Sequence, residues 1–404
     1  MHYFSGWRFK VQPTRIKGMS AEIHFQTLPE LSLYVHLPWC IRKCPYCDFN
    51  SHERRVPIAE TAYIDALIND LEQSLPLVWG RPVISVFIGG GTPSLFSPQA
   101  IARLLSEIRA RLPLVPDAEI TMEANPGTFE LDRFEGFREA GISRLSLGVQ
   151  SFSDAMLGQL GRVHSGNQAE LALASALKIF DRVNVDLMFG LPGQRLSDLK
   201  QELDRLLSFP LTHVSLYQLT LEPNTLFAAR PPQGLPDDDC LAEMQTLVAQ
   251  RLAQSGLMRY EVSAYAAAGQ QCQHNLNYWT FGDYLGIGAG AHGKISLANR
   301  IFRTVKARNP DAYLSAKGAA AKESEVSVHD LGFEFMLNAL RLVEGVPIGR
   351  WAQTTGIAIG GHPFLLERLG SAQSKGLMVR RPDRFQATAR GLELLNDLQA
   401  IFLP

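Results

Sequence analysis

Residues 31–49 read LSLYVHLPWCIRKCPYCDF, in which an apolar run typical of a buried strand leads directly into three cysteines. Cys40, Cys44 and Cys47 follow the spacing C-x3-C-x2-C, so their thiolates can converge on one soft metal centre. Two chemistries compete for them. His52 could complete a Cys3His zinc site, whereas an iron–sulfur cubane held by three thiolates would keep one iron open.

The composition limits the kinds of function to consider. The 404 residues are enough for one large domain and a smaller one. A formal net charge of -1, from 39 Lys and Arg against 40 Asp and Glu, argues against a strongly basic surface, and no nucleic-acid partner is expected. Five cysteines, three of them bunched, favour metal or redox chemistry in a reducing compartment, which predicts a cytoplasmic protein.

The first 30 residues have the composition of a poorly ordered extension. Residues 1–18 are basic and lack an apolar segment of the kind that secretory signals contain, and Met19 offers a second start position. No apolar run approaches the ~20 residues needed to cross a bilayer. The sequence therefore predicts that the folded part begins near residue 31.

Between residues 31 and 265, short apolar runs alternate with amphipathic segments. In the first segment, Ile64, Leu67 and Leu71 recur at helical spacing, and in the second Ser97 followed by Pro98 is typical of a helix start. The apolar runs are LSLYVHLP, VISVFIGG, EITMEA, RLSLGVQS, NVDLMFG, HVSLYQLTL and YEVSAYA. This alternation predicts an α/β fold in which parallel strands form a partial (β/α)6-type barrel.

The rest of the chain is expected to form a connection and a second, smaller domain. Residues 266–325 are assigned to the connecting segment, and residues 326–404 to a C-terminal α+β domain. Three helices followed by the segments LMVRR and FQAT, joined by the turn RPDR, and a last helix are typical of a winged helix. From residue 331 onward, eight Lys and Arg face six Asp and Glu, a balance that does not favour DNA binding.

Polar residues fall at or near the carboxyl ends of the predicted barrel strands. A buried, unpaired polar group would cost about 1–3 kcal/mol, so a ligand bound at this end of the barrel would explain several of them together. In chain order, these positions are 38–47 after the first strand, GGGTPS after the second, Glu123, Gln150, Asp186, Tyr217 and Gln218.

The pairing of C-x3-C-x2-C after the first strand with GGGTP after the second resembles the radical S-adenosylmethionine (SAM) proteins. The wider match is to the group that contains oxygen-independent coproporphyrinogen III dehydrogenase and the HemW-type haem chaperones. It rests on YVHLPWC, YCDF, GGGTPS, EANPGT, LGVQSF, LGRVHS, VDLMFGLPG, HNLNYW and YLGIGAGAH. The resemblance implies that Cys40, Cys44 and Cys47 hold a [4Fe-4S] cluster whose open iron binds SAM.

The resemblance also implies a set of SAM-binding residues. Glu123 would bind the ribose hydroxyls, and the glycines after the second strand would let the backbone approach the methionine amino group. The full set is Tyr34, Tyr46, Gly90, Gly91, Thr92, Glu123, Gln150, Arg162 and Asp186. Taken singly, each has an ordinary structural explanation.

Two features favour the chaperones over the dehydrogenases of this group. The dehydrogenases carry a further Cys two positions after the third cluster cysteine, where this chain has Phe49, and the HNxxYW motif of the HemW type is present as residues 274–279. His274 is therefore predicted to bind haem, with Cys272 as a second candidate ligand or a small buried residue and Cys240 as a structural one. The implied function is binding of haem and its transfer to recipient haemoproteins.

Two alternatives stay open: porphyrin biosynthesis as a coproporphyrinogen III dehydrogenase, and a zinc-stabilised interaction module. Whether the chain is an enzyme is accordingly left open. Membrane-bound respiratory proteins are candidate haem recipients, and a homodimer is a candidate assembly.

Overall fold

The alternating apolar runs form six parallel strands, which confirms the predicted α/β class. The computed structural model describes residues 22–54, 56–127, 131–318 and 321–404. The six strands lie side by side in chain order. They are named here the first to sixth barrel strands: Leu31–Leu37, Val83–Gly90, Leu114–Ala124, Arg144–Gln150, Arg182–Phe189 and His213–Gln218.

The six strands curve around one cavity. Each of them contributes at least one residue to its lining, for example Tyr34 from the first and Tyr217 from the sixth. The described sheet has twelve strands and two free edges, so it is an open, partial barrel. At one edge, Ala264–Ala266 pairs antiparallel with the sixth strand, and Met258–Arg259 pairs antiparallel with Ala264–Ala266.

Helices cover the outside of the barrel with their apolar faces. Helix Glu60–Val78 buries Ile64, Leu67 and Leu71, as their spacing predicts. The side chain of Ser97 accepts a hydrogen bond from the Ala100 amide and caps the helix that starts at Pro98. The described helices are Glu60–Val78, Pro98–Arg111, Phe134–Ala140, Asp154–Gln159, Gly166–Ile179, Leu196–Leu207, Leu226–Ala229, Asp238–Gln254, Gln273–Trp279, Pro310–Ser315, Val328–Ala339, Ile348–Thr355, Leu365–Ser374, Ala389–Glu393 and Leu395–Ala400, with short 3-10 turns at Pro93–Leu95 and Ile359–Gly361.

Residues 266–325 do more than connect two domains. Strand Asp283–Ile287 pairs in parallel with the first barrel strand, and three antiparallel strands extend the sheet beyond it. Those three are His292–Leu297, Arg300–Lys306 and Ala321–Glu325. These strands were not predicted from the sequence, because their pairing at the edge of a strand far away in the chain produces no local pattern of residues.

Helix Gln273–Trp279 closes the amino-terminal end of the barrel. Its Asn277 donates to the Ser32 hydroxyl in the first strand, and the Gln273 amide donates to Glu119 in the third. We call this end of the cavity the floor, and the opposite end, where the cysteines lie, the mouth.

A second hydrophobic core lies mostly in the C-terminal region, where it includes Phe335 and Trp351, and it also takes in Tyr260, Phe281 and Ile301. Strand Val346–Pro347 pairs with Arg384–Phe385, and Met378 forms an antiparallel bridge with Ala387. The latter pair lies where the hairpin of a winged helix was predicted.

The N-terminal extension is ordered where the structure describes it. Ile23 and Phe25 are buried in the C-terminal core, and the His24 amide donates to the carbonyl of Gly356. Residues 1–21, with the predicted start at Met19, lie outside the described residues. The expectation of disorder for residues 1–30 therefore needs correction at residues 22–30, because Ile23, Phe25 and Leu28 have a core to join. Among the described helices, none combines the length and the apolar character that a bilayer span requires.

Candidate cofactor site

One cavity of about 310 Å³ opens at the carboxyl ends of the barrel strands. The three clustered cysteines and all nine residues predicted to bind SAM line it. These are Cys40, Cys44, Cys47, Tyr34, Tyr46, Gly90, Gly91, Thr92, Glu123, Gln150, Arg162 and Asp186. Residues spread over more than 150 positions of sequence are thus brought together in one place.

The cysteine loop is held by its own hydrogen bonds. Short strand Trp39–Cys40 pairs with His52–Glu53, and the Cys47 amide donates to the carbonyl of Cys44. Asn50 fastens the loop to the sheet by donating from its side chain to the carbonyls of Ala289 and Arg308. The loop therefore presents its thiols from a fixed backbone.

The thiols lack the positive charge that free thiolates would require. Burial raises the pKa of Cys40 to about 11 and also raises that of Cys47. Among these thiols, that of Cys44 lies close to a cation, since the Nη1 atom of Arg162 is 3.7 Å from its sulfur. Because three thiolates need more compensation than one guanidinium gives, the donor set fits a multi-iron centre that supplies its own charge.

His52 does not join the cysteines in the cavity. Its Nε2 atom lies 3.2 Å from the carbonyl oxygen of Arg308 and 3.3 Å from the Asn50 side chain. Among the described residues, no three His, Cys, Asp or Glu side chains are gathered as a single metal ion would need. The Cys3His zinc site that the sequence left open is therefore not formed in this structure.

The glycines after the second barrel strand allow the cysteine loop to pack closely. A Cβ atom on Gly91 would lie 2.5 Å from the carbonyl oxygen of Trp39, and one on Gly90 would lie 2.9 Å from that of Leu37. The Gly91 and Thr92 amides donate to the carbonyls of Leu37 and Trp39. The resemblance implied one role for these glycines, access for a ligand, but close packing against the first strand and the start of the cysteine loop already requires them.

Two half-buried carboxyl groups face the cavity. Glu123 accepts a hydrogen bond from the Gly90 amide at 3.0 Å, and burial, together with the nearby charge of Asp186, raises its pKa to about 7. Asp186 accepts hydrogen bonds from Ser146 and Asn184, although burial still raises its pKa. Both groups can accept hydrogen bonds from ligand hydroxyls.

Arg162 lies at the centre of a hydrogen-bond network that the sequence did not reveal. Its Nη2 atom donates to the Asn125 side chain and to the Gly148 carbonyl, each at 2.7 Å. Asn125 in turn donates to the Thr92 hydroxyl at 3.2 Å. Asn125 belongs to the stretch EANPGT, two residues after Glu123. This closeness to a predicted site residue is the sequence feature that could have identified it.

Gln150 ends the fourth barrel strand with a φ of 67°, a left-handed conformation that side chains other than glycine rarely adopt. The strand register shifts between Gly148 and Gln150. This irregularity turns the backbone at the mouth, where such strain is usually tied to ligand binding.

His274 lies on the floor of the barrel, away from the cysteines in the mouth. It is fully buried, and its ring contacts those of Tyr34, Phe87 and Tyr278. Burial lowers the pKa of His274 to about 3, so the ring is neutral, and its Nε2 atom has no hydrogen-bond partner. Cys272 is also buried there, 3.5 Å from Glu119, while Cys240 is half-buried in helix Asp238–Gln254.

The lower part of the cavity holds polar residues that the sequence analysis did not select. All but Asn275 lie on barrel strands below the positions assigned to SAM, where a single polar residue in an apolar run carries no motif, whereas Asn275 belongs to the HNxxYW motif on helix Gln273–Trp279. They include Thr121, Arg144, Asn184, His213, Ser215 and Asn275.

The family described as the radical SAM superfamily matches residues 34–206, and the HemN C-terminal domain matches residues 326–394. The chain is similar to the heme chaperone HemW of Escherichia coli strain K12, with 47% identity over 93% of this chain and 99% of that protein. A mouse protein, radical S-adenosyl methionine domain-containing protein 1, mitochondrial, is 37% identical over 92% of this chain and 87% of its own length.

A solved structure supports the fold independently. Coproporphyrinogen III oxidase (HemN) from Escherichia coli, a radical SAM enzyme, superposes with a TM-score of 0.78, at 24% identity over 93% of this chain and 90% of that one. At this identity the likeness concerns the fold. Radical SAM membership implies a [4Fe-4S] cluster and SAM, to which the three-cysteine cavity corresponds. This chain therefore belongs to the radical SAM superfamily and, within it, to the HemW family.

Proposed function

We propose that this chain is a haem chaperone that binds haem and passes it to recipient haemoproteins. The observation that carries the proposal is the near full-length match to the heme chaperone HemW of Escherichia coli, at 47% identity. The presence of Phe49, in place of a further cysteine, agrees with it, and Phe49 lies in the lining of the cavity.

The predicted site residues that line the cavity are assigned either to the cluster or to SAM. Cys40, Cys44 and Cys47 would hold the [4Fe-4S] cluster, which when bound to SAM could supply the electron that cleaves the cofactor to a 5′-deoxyadenosyl radical. Glu123 would accept hydrogen bonds from the ribose, and Arg162 would orient the cofactor while donating toward Cys44. The remaining SAM contacts are assigned to Tyr34, Tyr46, Gly90, Gly91, Thr92, Gln150 and Asp186.

His274 is the proposed haem ligand, since a neutral imidazole with a free Nε2 atom is a suitable axial ligand. Its burial on the floor adds a condition. Iron can reach Nε2 only if haem enters the barrel or if helix Gln273–Trp279 moves away from the Ser32 and Glu119 contacts. Haem binding should therefore be slow compared with diffusion.

The test starts from protein purified anaerobically with its cluster and analysed for iron, sulfide and zinc. Haem is then titrated into the wild type and His274→Ala, and transfer to apomyoglobin is followed by absorption. His164→Ala is the matched control, because His164 is a buried neutral imidazole that does not line the cavity. We expect haem affinity to fall at least tenfold in His274→Ala alone.

Other outcomes would favour the alternatives. Equal haem affinity in both variants would remove His274 as the ligand, and failure of the loaded protein to bind or release haem would reject the chaperone. Conversion of coproporphyrinogen III under reducing conditions would identify a dehydrogenase. Zinc without iron or sulfide would identify a zinc-stabilised module.

The cellular setting is part of the same proposal. A cytoplasmic location agrees with the clustered reduced cysteines. Membrane-bound respiratory haemoproteins are proposed recipients, and a homodimer is a proposed assembly, which sedimentation of the loaded protein would test.

A further inference from the structure

The floor of the barrel contains buried polar atoms that have no partner. The Nη2 atom of Arg144, the Oγ1 atom of Thr121 and the Oδ1 atom of Asn275 all lack hydrogen bonds. All three residues line the cavity, and Arg144 and Thr121 are 2% and 1% exposed. Because buried polar groups are nearly always paired, three such atoms around one space indicate a missing partner.

Two arginine side chains share the carboxylate of Glu119 at the floor. This carboxylate accepts from Arg182 at 3.0 Å and from Arg144 at the longer distance of 3.5 Å, so two guanidinium groups share one carboxylate. Glu119 further accepts from the Gln273 amide at 2.9 Å and from the Cys272 thiol at 3.5 Å. Because both oxygens of Glu119 already accept hydrogen bonds from these donors, the Nη2 atom of Arg144 can bind a second anion.

Arg144 is fixed in place for such a contact. Its Nη1 atom also donates to the Gln270 carbonyl at 3.2 Å. Asp186 also lines the cavity, and its carboxylate accepts hydrogen bonds from Ser146 and Asn184. The amide of Asn275 can present either its oxygen or its nitrogen, since the two are exchanged by rotation of the side chain.

We propose that Arg144, Thr121 and Asn275 form a binding site for one carboxylate group of a ligand that reaches down the barrel. A planar carboxylate suits an arginine N–H, a hydroxyl donor and an amide N–H. The site lies below the residues assigned to SAM and is separate from the cysteine loop. The carboxylate is either a haem propionate or the carboxylate of an amino-acid ligand. Only this choice of source depends on the proposed function.

The primary test uses propionate on the cluster-loaded protein, followed by ligand-observed NMR, with propionamide as the neutral probe of the same shape. Propionate should bind the wild type, and Arg144→Gln and Thr121→Val should each weaken it at least tenfold. Arg144→Lys should restore part of the affinity because it keeps the charge. Arg182→Gln is the matched control, since Arg182 shares Glu119 but does not line the cavity.

Iron content and circular dichroism establish that each variant is folded. If propionate and propionamide give equal signals, the floor binds water alone and the proposal is wrong. The same holds if Arg182→Gln weakens propionate as much as Arg144→Gln does. Neither result bears on haem transfer, which is measured separately.

Two further titrations identify the source of the carboxylate. If it is a haem propionate, Arg144→Gln should weaken haem at least tenfold but leave haem dimethyl ester unchanged. If it belongs to an amino-acid ligand other than the SAM at the cluster, Arg144→Gln should weaken free methionine by a similar factor and leave haem unchanged. A variant that binds haem, its ester and methionine as the wild type does would overturn the proposal.

Discussion

The Nδ1 atom of His274 lies 3.0 Å from the hydroxyl oxygen of Ser85, beneath the cofactor cavity. This hydrogen bond joins the HNxxYW motif to the second barrel strand. It leaves the other ring nitrogen, Nε2, buried and unpaired. Residues 274–279 thus contribute His274 to the buried interior at the barrel floor.

The pH dependence of stability should report on His274. Burial lowers the pKa of His274 from 6.5 to about 3, so its contribution is fully present above pH 6.5 and declines as pH falls toward 3, where only the unfolded chain takes up the proton. Between pH 7.5 and pH 5 the wild type should lose about 2 kcal/mol more than His274→Gln. Urea denaturation at both pH values measures the unfolding free energies. The contributions of His36 and His164 cancel in the comparison because the wild type and the variant both retain these residues. Equal losses would contradict the burial of a neutral ring.

Glu123 should show the opposite dependence. Burial raises the pKa of Glu123 from 4.5 to about 7, so the folded chain holds a proton that the unfolded chain releases, and stability is lost as pH rises from 4.5 to 7. Glu123→Gln keeps an acceptor for the Gly90 amide but cannot ionise. In cofactor-free protein, the unfolding free energy of the variant minus that of the wild type should be about 3 kcal/mol greater at pH 8 than at pH 4.5. A constant difference in unfolding free energy across this range would show that Glu123 is not held protonated.

Gly91→Ala should damage the packing of the cysteine loop. The new Cβ atom would lie 2.5 Å from the Trp39 carbonyl oxygen, and this backbone atom cannot move without shifting Cys40. We expect a loss of about 3 kcal/mol in unfolding free energy and a lower iron content after reconstitution. Gly158→Ala is the control, because it lies in helix Asp154–Gln159 with open space around it and should be neutral or slightly stabilising. Equal effects of the two substitutions would argue against the close packing at Gly91.

Arg162→Met should lower the reduction potential of the bound cluster. The Nη1 atom of Arg162 is 3.7 Å from the Cys44 sulfur, and a cation at a ligand sulfur favours the more negative, reduced cluster. If the variant loses about 1.4 kcal/mol of interaction with the reduced cluster, the reduction potential should fall by about 60 mV for a one-electron couple. Potentiometric titration followed by electron paramagnetic resonance measures the shift. Arg205→Met is the control, since this arginine packs on Phe152 outside the cavity, and an unchanged potential in both variants would show that Arg162 does not influence the cluster.

Much of the upper site was predictable from the sequence. The period of the apolar runs predicts the barrel strands, and the carboxyl ends of parallel strands meet at one edge, so the positions of Glu123, Gln150 and Asp186 follow from the strand assignments. The floor was not predictable in this way. Arg144 and Glu119 lie near the starts of apolar runs, where a polar residue is typical of a strand end. Their contact across the third and fourth strands depends on the register of that pair.

The sequence by itself determined the order of strands and helices, the three-cysteine loop and the family, because these depend on local periodicity and on motifs with fixed spacing. Only the tertiary structure decided that His274 lies on the floor, that His52 turns away from the cysteines and that residues 283–325 extend the sheet. Each of these outcomes rests on contacts between residues far apart in the chain. Such contacts are fixed by packing and hydrogen-bond register, which no local pattern of residues encodes.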